Sequence, residues 1–149
     1  MSQPPDGNLL APKLKTSESM EKLIQRVDEL SDEELNGLPV GMIQLDAQGR
    51  ILKFNKAEAE LARLKQERQI GRHFFDEVAP CTKVREFYGR FQEGLKQRSL
   101  YETFGFVFKF DHGWRNVAIT LFYSEKTSSV WVLASTMSDA EAKAATSKR

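Results

Sequence analysis

Four phenylalanines, Phe104, Phe106, Phe108 and Phe110, alternate with Gly105, Val107 and Lys109 in the 149-residue chain. A period of two places all four rings on one face of an extended strand, whereas a helix would scatter them around its axis. The alternation resumes at Val117, Ile119, Leu121 and Tyr123, and Val130 to Ser135 follows a turn at Ser124 to Ser129. Asp111-His112-Gly113 supplies the turn between the first two strands. Connections this short favour antiparallel neighbours, so this part of the chain forms a sheet whose aromatic face another element must cover.

The cover comes from upstream. Val84, Phe87, Tyr88, Phe91 and Leu95 fall at helical spacing and predict a helix over Val84 to Arg98. Val40 to Asp46 and Arg50 to Phe54, joined by Ala47-Gln48-Gly49, read as a β-hairpin. Asn55 is a helix-capping residue with Glu58 three positions on, which predicts a helix from Lys56 to about Lys65, then a shorter turn at Glu67 to Gln69 that ends near Gly71. Pro80 interrupts the apolar run Phe74 to Cys81, which is expected to be irregular. Near the start, Met20, Leu23, Ile24, Val27 and Leu30 form an amphipathic stripe suited to the otherwise bare back of the sheet. Ser31-Asp32-Glu33-Glu34 has the form of a capping box, and Gly37 and Pro39 stop the short helix it starts.

Residues 1–16, with Pro4, Pro5, Gly7 and Pro12, read as a loose arm, and 137–149 as a small polar tail. Between them the pattern gives a helical cap at 17–37 and one α+β domain at 38–136, with helices over one face of an antiparallel sheet.

Lys and Arg total 22 against 21 Asp and Glu, without a basic block, which argues against a nucleic-acid or anionic-membrane partner. Neither a membrane-spanning apolar run nor a signal-type segment within Met1 to Lys15 is present, so a cytoplasmic location is expected. His73 and His112 fall in different loops and read as satisfied or exposed loop residues, not as ligands of a metal with the single cysteine. No phosphate-binding glycine motif, Gly-x-Ser-x-Gly or His-Glu-x-x-His occurs, and neither histidine is spaced to serve Cys81 as a base, so an enzyme is not expected.

Three features admit two readings each. Cys81 is either a small buried hydrophobe or a thiolate favoured by the start of the following helix, suited to covalent attachment of a ligand. Glu58 is either a capping residue or, beside Ala57, Leu61 and Ala62, an acid pressed into an apolar interior where it holds its proton. The face of four rings is either plain core or the wall of a cavity for a flat aromatic molecule.

Ile43-Gln44-Leu45-Asp46, Ile51-Leu52, Asn55 with Ala57-Glu58, Ile70-Gly71, Phe74-Phe75, Val78-Ala79-Pro80-Cys81-Thr82 and Glu86-Phe87-Tyr88-Gly89 resemble the photoactive yellow protein family in order and spacing, over roughly Leu35 to Ser135. The resemblance implies a PAS fold, a five-stranded antiparallel sheet with helices on one face, here with an N-terminal helical cap. It implies a blue-light receptor that carries 4-hydroxycinnamic acid (p-coumaric acid) as a thioester on Cys81, with Glu58 hydrogen-bonded to the phenolate and donating its proton after photoisomerisation. Pocket positions then include Phe54, Ala62, Leu64, Phe74, Pro80 and Phe108.

Several of these depart from the family's pattern. Phe54 stands where a tyrosine usually donates to the phenolate, Ala62 replaces a threonine and Leu64 an arginine, while Phe106 and Phe110 occupy positions where tyrosines are familiar. The pocket is therefore more apolar, which raises the phenol pKa and predicts a neutral, blue-shifted fraction that grows as pH falls. The alternative is a light-independent PAS sensory or interaction module that has lost the photocycle. With no output segment in the sequence, the signal is expected to pass to a separate downstream signalling protein or through a homodimer, with rearrangement of the Met20 to Leu30 helix as the link.

Overall fold

The computed structural model describes residues 17–136, with side chains from Glu21 onward; the arm at 1–16, the tail at 137–149 and the side chain of Met20 lie outside the described residues. Helix α1 (Ser17–Arg26) runs into a 3-10 turn at Val27–Glu29, and α2 (Asp32–Asn36) follows. Strands β1 (Gly41–Leu45) and β2 (Ile51–Phe54) form a hairpin, and α3 (Lys56–Ala62) leaves β2 directly. Short turns lead to α4 (Arg90–Gln97), and β3 (Tyr101–Phe110), β4 (Gly113–Ser124) and β5 (Ser129–Thr136) complete the described chain.

The five strands form one sheet in the order β2-β1-β5-β4-β3, with every neighbouring pair antiparallel. The last strand thus sits in the middle beside the first, and its alternate side chains serve both faces. Val130, Val132 and Ala134 enter the core beneath α3 and α4, while Trp131 and Leu133 pack under the N-terminal helices. This is the α+β arrangement that the alternating apolar segments imply.

The four-ring strand behaves as its period requires. Phe104 and Phe108 are buried, Phe106 and Phe110 are half-buried on the same side, and Gly105, Val107 and Lys109 face outward. Phe87 meets Phe104, Phe106 and Phe108 edge-on at centroid separations of 5.7, 5.4 and 6.2 Å, the geometry that aromatic quadrupoles favour.

The amphipathic stripe also lies where its spacing suggests. Leu23, Val27 and Leu30 pack with Met42, Trp131 and Leu133 on the back of the sheet. The capping box closes at both ends: the Glu34 amide donates to Ser31 Oγ at 3.1 Å, and the Ser31 amide donates to Glu34 Oε1 at 2.9 Å. Among the described residues, no helix is long and apolar enough to cross a membrane.

Two helices differ from expectation. The segment from Val84 begins as a single π turn at Arg85–Gly89 and becomes α-helical only at Arg90. Val84 itself is extended and exposed, so it leaves the apolar stripe. Its spacing matched the stripe because apolar periodicity does not separate a widened first turn from a regular one. Helix α3 stops at Ala62, short of Lys65, because Arg63 adopts a left-handed conformation at φ 56° and ψ 47°.

Candidate functional site

Helix α3 presents Glu58 inward, and one asparagine fixes its start. Asn55 Oδ1 accepts from the Glu58 amide at 3.0 Å and from the Met42 amide at 2.8 Å. Asn55 Nδ2 donates to the carbonyls of Leu35 and Val40 at 2.7 and 3.1 Å. The cap of α3 therefore also ties the helix to β1 and to the end of α2. The Glu58 side chain does not return to the cap. Its carboxyl group is buried, its Oε1 has no hydrogen-bond partner, and burial pushes its pKa up to about 8. Of the two readings of Glu58, the geometry selects the interior acid, and burial favours its protonated form.

Cys81 lies in a 3-10 turn, Pro80–Thr82, closed by the Thr82 amide and hydroxyl on the Ala79 carbonyl at 2.9 and 2.6 Å. Its thiol is free and half-buried. Lys83 and extended Val84 separate this turn from the helix that follows, so Cys81 is not at a helix start and that route to a thiolate does not apply. Pro80 at the first position ends the preceding turn and opens this one, and the non-helical backbone of Lys83 and Val84 separates it from the helix that follows.

A cavity of about 110 Å³ brings the expected site residues together. Phe54, Phe74 and Phe108 form aromatic walls, Ala62 and Leu64 close the α3 side, and Glu58, Pro80 and Cys81 line the same space. Val78, Ala79, Lys109, Phe110 and Asp111 also border it. Phe110 was legible from the alternating face and as one of the positions where the family has a tyrosine, whereas the charged hairpin residues carried no sequence signal for a pocket. Phe106 is not part of this lining; it packs on Phe87 and Phe108.

The histidines separate clearly. His73 Nδ1 accepts from the Asp76 amide at 3.1 Å, a local turn contact. His112 stacks on Phe110 at 5.0 Å, and its Nε2, 3.1 Å from the Leu61 carbonyl, donates to it, while Nδ1 is buried without a partner. This contact pins the β3–β4 hairpin to the last turn of α3. No group of His, Cys, Asp and Glu side chains among the described residues is arranged to hold a metal ion.

Phe54 also borders a second, more open space of about 250 Å³ at the seam between α2 and β2, where Asp32, Leu35, Asn36 and Lys53 contribute. The Lys53 ammonium donates to Asp32 at 2.7 Å, and Gln66 Nε2 donates to Asn36 Oδ1 at the same distance. Phe54 thus stands between the buried cavity and this polar groove.

The arrangement is an aromatic cavity with a neutral acid whose Oε1 lacks a partner and a free thiol on its lining. Aromatic walls of this kind offer stacking surface, the unpartnered Oε1 offers a hydrogen-bonding position, and the thiol of Cys81 is a nucleophile.

Comparison with known proteins agrees. A family profile described as the PAS fold matches residues 29–135. The chain is 39% identical over 103 residues to the photoactive yellow protein of Halochromatium salexigens, which covers 69% of this chain and 82% of that protein. It is 36% identical over 104 residues to the photoactive yellow protein of Rhodothalassium salexigens, which covers 70% and 83% respectively. The photoactive yellow protein domain of the sensor histidine kinase Ppr from Rhodospirillum centenum superposes with a TM-score of 0.71 at 37% identity, over 74% of this chain and 97% of that one. With the PAS-fold profile over most of the chain, curated relatives at 36–39% identity and a shared fold with the Ppr domain, the chain belongs to the photoactive yellow protein family of PAS-fold proteins.

Proposed function

We propose that this PAS domain is a blue-light receptor that carries 4-hydroxycinnamic acid as a thioester on Cys81, with Glu58 holding the phenol oxygen. The observation that carries the reading is the buried Glu58 Oε1, unpartnered on an aromatic cavity that the free thiol of Cys81 also lines. A buried polar atom left unpaired costs about 1–3 kcal/mol, and a ligand oxygen would remove that cost.

When bound, the chromophore supplies light absorption and isomerisation about its double bond. The chain supplies the rest. Cys81 anchors, the Phe54, Phe74 and Phe108 rings hold the molecule and exclude water, and the proton on Glu58 is available at its carboxyl oxygen. Loss of that proton leaves a charged carboxylate in apolar surroundings, a costly state that local opening relieves. Asn55 links the start of α3 to β1 and α2, so the N-terminal helices are the proposed responders. A downstream signalling protein, or a second copy of the chain, then reads their rearrangement.

The test is reconstitution with an activated ester of 4-hydroxycinnamic acid. Cys81 Sγ attacks the acyl carbon, the C–S bond forms, and the leaving group departs with the thiol proton. We expect one added chromophore by intact mass and a near-ultraviolet or visible band, both abolished by Cys81→Ala. Illumination of the loaded protein should raise amide exchange in α1. Absence of attachment would favour the light-independent module, and unchanged protection of α1 would remove the proposed output.

A further inference from the structure

We infer that Gly41, the first residue of β1, is a positioning residue for Glu58: its missing side chain is the slot in which the Glu58 carboxyl group sits. The inference deepens the receptor reading, because it names what fixes the acid that would meet the chromophore. A Cβ built on Gly41 would lie 2.2 Å from Glu58 Oε1, far inside any real contact. The same Cβ would lie 3.3 Å from the Cα of Glu58 and 3.3 Å from the carbonyl oxygen of Ala134.

Those last two atoms are backbone, held by α3 and by the β1–β5 pairing of Gly41 with Ala134. The flexible neighbour is the carboxyl group, so a side chain at position 41 must displace it. Conformation does not explain the glycine. Among the described residues the glycines with positive φ are Gly49, Gly71 and Gly113, and Gly41 lies in strand backbone that any residue could adopt. Space is the requirement, and a glycine within a strand marks such a close approach.

The slot has a chemical consequence. Oε1 is held beside the Gly41 backbone with no hydrogen-bond partner of its own, so the slot fixes which way the carboxyl group faces. The other titratable or charged groups on the cavity are Cys81, Lys109 and Asp111. None of them is hydrogen-bonded to Oε1. A displaced carboxyl group would move toward the cavity and its opening, where it is better hydrated and gives up its proton more easily.

The experiment uses the full chain without ligand, so its outcome does not depend on chromophore binding. Carboxyl-labelled glutamate is followed by carbon NMR across pH, and Glu58→Ala identifies the resonance. In the parent protein Glu58 should titrate well above the other glutamates; Gly41→Ala should lower its midpoint by one pH unit or more. An unchanged midpoint in Gly41→Ala overturns the proposal.

Denaturant midpoints of Gly41→Ala, Glu58→Ala and the double variant decide the case where Gly41→Ala folds poorly. If the slot serves the carboxyl group, Gly41→Ala is strongly destabilising in the parent and much less so in the Glu58→Ala background, where only the two tight backbone contacts remain. Equal destabilisation in both backgrounds would assign Gly41 to backbone packing alone and overturn the proposal. Failure of the receptor reading is seen separately, as absence of attachment in the Cys81 experiment.

Discussion

The two faces of the sheet treat buried polarity in opposite ways. On the cap face, Asp28 in the turn after α1 accepts from Trp131 Nε1 at 2.9 Å, from Thr127 Oγ1 at 3.3 Å and from the Ser124 hydroxyl. Beside it Gln44 Nε2 donates to Ser129 Oγ at 2.9 Å. On the cavity face an aromatic core meets few polar groups, and among the described residues the two buried side-chain atoms without a partner, Glu58 Oε1 and His112 Nδ1, both lie there. Satisfied polar networks rigidify, while an unsatisfied group is available to an incoming partner. One face satisfies its buried polar groups with its own side chains; the other leaves two of them unpaired.

The sharpest way to break this contrast is the pH dependence of stability. Glu58 keeps its proton in the fold up to about pH 8, whereas in the unfolded chain it ionises near 4.5. Its stabilising contribution is therefore fully present below pH 4.5 and falls as pH rises, by about 1.4 kcal/mol per pH unit, until about pH 8. Across that window the loss is on the order of 5 kcal/mol. Urea unfolding at a series of pH values should show this slope in the parent and not in Glu58→Gln. Parallel curves would mean that the carboxyl group is solvated.

On the cap face we expect Asp28→Ala to cost about 2–3 kcal/mol, because it leaves the Trp131 N–H and the Ser124 hydroxyl without their acceptor. Trp131 fluorescence follows the loss directly, and an effect below about 0.5 kcal/mol would place this network among exposed contacts of little worth. The smallest effect belongs to the chromophore-loaded cavity. Phe54→Tyr restores a hydroxyl donor, and a charge-assisted hydrogen bond of about 1.5–3 kcal/mol lowers the midpoint of the phenol absorbance titration by roughly one to two pH units. An unchanged midpoint would show that the hydroxyl points instead into the groove on the far side of the ring.

The contrast also explains what the sequence disclosed. Period-two alternation located β3, β4 and β5, and the Ser31 capping box marked α2, because these signals are local. The site residues gathered on one cavity because the resemblance carried positions that no periodicity relates. What escaped was set by contacts distant in sequence. Asp28 meets Ser124 and Trp131 across 96 and 103 residues, and no local pattern announces that pairing. Glu58 could have capped α3; packing against Gly41, from another element, sends its carboxyl group inward instead. The π turn at Arg85–Gly89 and the isolated turn around Cys81 escaped for a related reason, since apolar spacing reports which side is buried but not how tightly the backbone is wound.

β5 gives these separate chemistries a common mechanical element. Val130, Val132 and Ala134 belong to the cavity-side core, Trp131 and Leu133 to the cap cluster, and the strand is hydrogen-bonded on both edges, to β1 and β4. Such a strand works like a beam with loads on both sides: it has no free edge on which to slip, and any shift that relieves one load is imposed on the other. The carboxyl slot, which Ala134 borders, and the indole of Trp131 are thus carried by the same strand, on its opposite faces.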